Sequence, residues 1–372
     1  MSILINNPVQ STLVFIIILA LALILTTKKK INPKTFSVSV TQELKGLAIL
    51  MIVFSHVGYF LAADNRFLFP LSIAAGVGVN LFLFLSGYGL ISSALAKPLS
   101  IGQFYKRRLF KLYGPLWLVV ALFLILDWLV LSQGYSFSYI FQSLLGFFPR
   151  ADLFGDLNSP LWYFTWIVFY YLLFPLVFLK KQPWLSALAL YLAGYLVITW
   201  NPVFLANVLH LYQVHILAFP LGVLVGGLAS QYRGSQIAAR FKASWQKINI
   251  NWLVKNIGYW LLIAIFTGLA VYTAYYSNVG AKPRIEEITS LITCASLIIL
   301  FIINKRESRL LYWFGIYSYE IYLLHWPIMS RLDIFYRWAP AWLATVLYLV
   351  FFLAVSWLFQ RILSRPKPLP KP

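Results

Sequence analysis

Charge is scarce in this chain, and negative charge scarcer still. Asp and Glu number 10 against 30 Lys and Arg, and the four types together make up 11% of the 372 residues. A soluble domain carries about a quarter charged residues, so an ordinary globular domain with a wetted surface is excluded. A single cysteine, Cys294 in the run ITCASLIIL, excludes an internal disulfide and a cysteine-based metal cluster, and no metal site is expected. Internal repeats and long low-complexity tracts are absent. The leading residues MSILINNPVQ contain no positive charge, so the first apolar run is not a secretory signal and reads as an anchor helix. The net charge of +20 does not indicate nucleic acid. A DNA reader carries its basic residues on a solvated domain, and none is left once the apolar runs are set aside.

What is abundant is apolar surface: 61% hydrophobic residues and a mean hydropathy of +0.79. A helix needs about 20 residues to cross about 30 Å of hydrocarbon. By that rule the chain is an all-α polytopic membrane bundle of about eleven transmembrane helices. The runs lie at about 11–27, 44–63, 71–95, 112–132, 160–179, 184–200, 203–229, 256–276, 287–303, 310–329 and 340–360. Basic residues then set the orientation. Placing Lys28, Lys29, Lys30, Lys34 and Lys45 in the cytoplasm, with every alternate connection, puts 24 of the 30 basic residues there and leaves six outside. The expectation is a multi-pass protein of the plasma membrane, N-terminus outside and C-terminus cytoplasmic.

Several polar residues sit where burial is costly. His56 lies well inside the second run, eleven residues after Lys45. Eleven residues are about three turns, so the two share a helix face, and the rise of about 16 Å carries the ring to mid-membrane. A charged group there costs about 2.5–3.5 kcal/mol on insertion scales, so such residues face the protein interior or a wet cavity. A neutral histidine satisfied by an interhelical hydrogen bond accounts for His56 equally well. The tenth run, LLYWFGIYSYEIYLLHWPIM, adds Glu320 and His325, either as a site or as a structural network. His210 and His215, with Gln213, read as structural or interfacial. In GVGVNLFLFLSGYGL, Asn80, Ser86, Gly87 and Gly89 fit close helix packing. The connection QFYKRRLFKLYGP presents Lys106, Arg107, Arg108 and Lys111. It serves as a positive-inside anchor or lipid contact, or as a phosphate site in which Arg108 and Lys111, at i and i+3, grip one polyanion.

Taken in order, KGLAILMIVFSH, GVNLFLFLSGYGL, FYKRRLFKLYGP, PLWYFTWIVFYYLLFP and YSYEIYLLHWP resemble the acyltransferase family 3 of multi-pass membrane O-acyltransferases. The resemblance spans about residues 43–360. It implies an N-terminal anchor and linker over 1–42, a ten-helix acyltransferase domain over 43–362 and a cytoplasmic tail over 363–372. It also implies transfer of an acyl group, commonly acetyl, from acyl-CoA to a hydroxyl of a glycan or lipid-linked sugar, with no resident cofactor. On that basis His56 is the catalytic histidine and Lys45 stands where relatives carry arginine, which keeps the charge and loses the bidentate fork. Arg108 and Lys111 match a cationic pair spaced by three, with Arg107 beside them as a further donor contact. Ile167 stands where many relatives carry glutamate. Glu320 and His325 are expected to orient His56 or contact the acceptor, and Asn80 and Ser86 to line the cavity. Two other classes remain open on the residues alone: a transporter or flippase using intramembrane His and Glu, and a scaffold using its polar residues for helix association.

Overall fold

Hydrocarbon offers no partners to peptide groups, so each apolar run must close its own backbone hydrogen bonds, and here each does so as a helix. The structure is a computed structural model describing residues 3–30, 36–151, 159–233, 252–277 and 282–363. Its helices are α1 (Pro8–Leu25), α2 (Val38–Ser55), α3 (Ala75–Ala96), α4 (Ile101–Leu131), α5 (Phe137–Leu145), α6 (Trp162–Val177) and α7 (Pro183–Trp200). They continue with α8 (Leu209–His215), α9 (Ala218–Arg233), α10 (Trp252–Tyr276), α11 (Pro283–Ile303), α12 (Arg309–Ile316), α13 (Ser318–Pro327) and α14 (Ala341–Leu363). Among the described residues nine helices are long and apolar enough to cross a membrane, with α8 and α9 counted as one, Leu209–Tyr232. The shorter α6 and the broken pair α12 and α13 occupy the two remaining apolar runs. Asp152 and Asp156, most of the basic stretch 233–255 and the tail after 363 lie outside the described residues.

The structure departs from the sequence reading in three places. The basic group expected in a connection is the opening of α4, a helix of 31 residues. At about 1.5 Å per residue it measures about 46 Å, longer than the hydrocarbon is thick, so its polar first turns belong to the interfacial layer. The seventh span begins at Leu209 rather than 203, because Pro202 leads into a 3-10 turn over Val203–Leu205. The tenth is interrupted at Tyr317, where φ −98° and ψ 8° break the helix between α12 and α13.

Close helix contact positions the interior. A Cβ on Gly46 of α2 would stand 1.9 Å from the Leu311 carbonyl oxygen, and a Cβ on Gly315 of α12 would stand 1.9 Å from that of Gln42. The two backbones therefore touch reciprocally, which only small residues permit. Gly87 does the same for α3 against Phe219 of α9, whereas Gly89 meets nothing within 4 Å. Connections pair across each end of the bundle. At one end β1 (Thr27–Lys29) pairs antiparallel with β2 (Arg306–Ser308), and Lys28 Nζ lies 2.9 Å from Glu307. That hydrogen bond holds the Glu307 carboxyl below its usual range. At the other end Ile3 bridges Ala62, and Arg331 Nη1 donates to Asp127 Oδ2 at 2.6 Å. Both backbone pairings join segments that the basic residues assign to the same side.

The glycine contact sets a stability test. Replacing Gly315 with Val should lower the thermal midpoint of the detergent-solubilised protein by an amount equivalent to about 3 kcal/mol, while Gly89→Ala should leave it unchanged. Equal midpoints for the two variants would show that α2 and α12 are not in backbone contact.

Candidate active site

Helix α2 stops being a regular α-helix at His56, where it widens into π-helical turns over His56–Leu61. Such local widening is frequent at functional sites. The turn presents the His56 ring to His325 of α13: Nδ1 of His56 and Nε2 of His325 are 2.6 Å apart, with ring planes 6° from parallel. The edge of Trp326 closes against His56 at 5.3 Å. Hydrogen-bond partners decide which nitrogen holds the proton. His325 Nδ1 lies 3.0 Å from the Ile321 carbonyl and 2.9 Å from that of Tyr322. Carbonyls only accept, so His325 Nδ1 carries the hydrogen and its Nε2 is left as an acceptor. His56 Nδ1 must then donate, and its Nε2 keeps an open lone pair. The arrangement is that of a base held in one tautomer by a neighbour that is itself fixed by the backbone.

Two cavities converge on this region. The outer one, about 280 Å³, is lined by His56, His210, His215, Trp162, Asn207 and Glu286, with Ala151 and Pro160 at the end of the bundle that carries the Ile3–Ala62 bridge. The inner one, about 630 Å³, is lined by Gln42, Lys45, Arg108, Lys111, Glu320 and Gln360 towards the basic face. Tyr163 and Tyr322 line both and so form the wall between them. Tyr322 is anchored by its hydroxyl, which donates to the Pro160 carbonyl. Two acceptors in the inner cavity are buried with no hydrogen-bond partner among the described residues: Gln42 Oε1 and Glu320 Oε2. A buried polar atom without a partner is costly, which marks these two oxygens as candidate ligand contacts.

The expected residues are distributed between these spaces. His325 meets His56, while Glu320 does not; it accepts from Gln360 Nε2 at 3.1 Å and belongs to the inner cavity. Lys45 and His56 open on different cavities, one on each side of the tyrosine wall. Arg108 and Lys111 line the inner cavity together, but Arg107 is exposed outside it. The face of α4 turned inwards carries Arg108, Lys111 and Pro115, and the next residue round the helix, about 100° away, points elsewhere. Ser86 lines the inner cavity and so does Ile167, which gives an apolar wall where a glutamate was the alternative. Asn80 lines neither cavity and is fully buried behind His215.

The sequence reading set His210 and His215 apart as structural or interfacial and did not single out Glu286; all three line the outer cavity. Their signal was present as ionisable residues in apolar runs, but the fold is needed to show that His56, in the turn after α2, and His210 and His215 of α8 line one space.

A family model described as an acyltransferase domain matches residues 44–361. No curated protein and no solved structure matches the chain.

Access to the two cavities can be tested by labelling. In a Cys294→Ser background, Ser86→Cys and His210→Cys should each react with a membrane-impermeant maleimide from one side of sealed vesicles, and from opposite sides. Labelling of both from the same side would remove the two-chamber geometry.

Proposed function

This chain belongs to the acyltransferase 3 family and is a membrane acyltransferase, and on that premise we propose a donor, an acceptor and a route between them. The donor is acyl-CoA, with acetyl the first choice, entering from the cytoplasm. The acceptor is a hydroxyl of an extracytoplasmic glycan or lipid-linked sugar. The protein sits in the plasma membrane with its N-terminus outside and its C-terminus in the cytoplasm. The observation that carries this reading is the juxtaposition of a cationic cavity and a tautomer-fixed imidazole across one wall of two tyrosines.

In this reading Lys45, Arg108 and Lys111 take the phosphates of CoA by charge-assisted hydrogen bonds. Gln42 Oε1 and Glu320 Oε2 suit the amide N–H groups of the pantetheine arm, which would satisfy both unpaired acceptors. The thioester then reaches the Tyr163–Tyr322 wall. His56 Nε2 takes the proton of the acceptor hydroxyl as its oxygen attacks the thioester carbonyl carbon. The C–S bond of the resulting tetrahedral species breaks, and the imidazolium returns its proton to the departing thiolate. An ester and free CoA are formed. His325 Nε2 supports the imidazolium by accepting from His56 Nδ1. Among the described residues no serine, threonine or cysteine lines the outer cavity, which favours direct transfer over an acyl-enzyme on such a side chain.

Two experiments on protein reconstituted in lipid nanodiscs test these assignments. With radiolabelled acetyl-CoA, His56→Ala should abolish turnover, and His325→Ala should lower kcat by about 10²-fold with little change in the KM for donor. Retained turnover in His56→Ala would end the base assignment. Arg108→Ala and Lys111→Ala should each raise the KM for acetyl-CoA about tenfold, the size of one charge-assisted hydrogen bond. An unchanged KM in both would remove the phosphates from this cavity.

A further inference from the structure

The outer cavity holds a second imidazole whose tautomer is also fixed, through a chain of hydrogen bonds leading away from the cavity. Ser290 Oγ donates its one proton to the Glu287 carbonyl at 3.1 Å. Its remaining capacity is to accept, and Asn80 Nδ2 donates to it at 2.7 Å. The Asn80 amide is thereby oriented with its oxygen towards His215, 2.8 Å from Nδ1. An amide oxygen only accepts, so His215 Nδ1 carries the hydrogen and Nε2 keeps a lone pair. Asn80 and Ser290 are both fully buried, and Trp162 stacks on the imidazole at 5.6 Å and 17°. Three helices, α3, α8 and α11, thus combine to present one nitrogen acceptor, beside the one presented by His56.

The surroundings narrow what such an acceptor would receive. Among the described residues no lysine or arginine lines this cavity, which leaves imidazole, indole, amide and phenol groups to meet a ligand. Gly76 of α3 keeps the space open: a Cβ there would lie 3.7 Å from both Glu286 Oε1 and His215 Cε1. About 280 Å³ lies near the lower bound of ligand pockets and accommodates one sugar ring rather than several.

We infer that His215 is a specificity-determining residue: its Nε2 accepts a hydrogen bond from a second hydroxyl of the molecule whose first hydroxyl is deprotonated by His56. The acceptor is therefore a polyol of sugar-ring size. This inference rests on the acyl-transfer reading above and adds the acceptor's chemistry to it. A lone alcohol would satisfy one imidazole and leave the other unpaired, which a buried polar site penalises strongly.

The test uses the full-length protein in nanodiscs with radiolabelled acetyl-CoA and a panel of neutral methyl hexopyranosides, followed by the monodeoxy series of the best acceptor. For wild type, removing one hydroxyl other than the acylated one should lower kcat/KM about tenfold. In His215→Asn the amide nitrogen replaces Nδ1 as donor to Asn80 while the Nε2 acceptor is lost, so the same deoxygenation should cost nothing further. Gly76→Ala, whose methyl fits without a clash, should raise the KM of the sugar more than that of ethanol. An identical deoxygenation penalty in wild type and His215→Asn overturns the inference. So does acetyl-CoA hydrolysis that depends on His56 with no sugar accepted, an outcome that leaves the acyl-transfer reading standing. Absence of any His56-dependent turnover removes that reading as well.

Discussion

The site depends on a hydrogen bond between two neutral rings, and on the reason its direction is not free. His325 Nδ1 faces the carbonyls of Ile321 and Tyr322, three and four residues earlier in its own chain, so helix geometry decides the protonation of a ring on another helix. A carboxylate would orient His56 with more force, but burying an unpaired charge in an apolar interior is expensive. An imidazole fixed by backbone gives the same directionality without a net charge. Its precision is inherited from the reciprocal glycine contact between α2 and α12, which leaves those helices no slack, and from the Tyr317 break that redirects the chain into α13.

The bundle was legible because burial in lipid has only a few solutions. Length, hydropathy and the uneven distribution of lysine and arginine identify the apolar runs and their alternation, and β1 with β2 and Ile3 with Ala62 pair connections as that alternation demands. His56 was legible as an ionisable ring deep in an apolar run, and Arg108 and Lys111 from their spacing. The division of labour was not. Glu320 and His325 are five residues apart in one run, yet the former opens on the cationic cavity and the latter meets His56. Periodicity within one helix cannot reveal which neighbour each face meets. Asn80 illustrates the same limit: its polarity was visible, but its service to His215 required α8 and α11 to be in place.

Polarity is partitioned between the chambers. The larger holds the cations and the orphan oxygens Gln42 Oε1 and Glu320 Oε2, while the smaller holds imidazoles, an indole and one carboxyl. On the proposed reading each has a chemistry that suits one reactant. A polyphosphate gains contacts only on the lysine and arginine side, and an uncharged ring gains them only among the histidines. On that reading, sorting of the reactants needs no moving gate, because each would be held where its own groups are satisfied.

The interval between Lys45 and His56 behaves as a ruler cut into a rigid rod. Each residue of helix adds about 1.5 Å and turns the rod by about 100°. Inserting or deleting one residue within that interval would swing the imidazole away from α13 while leaving the apolar run long enough to span the membrane. The register between the basic end of the helix and its imidazole is therefore a fixed length, set by geometry rather than by hydropathy.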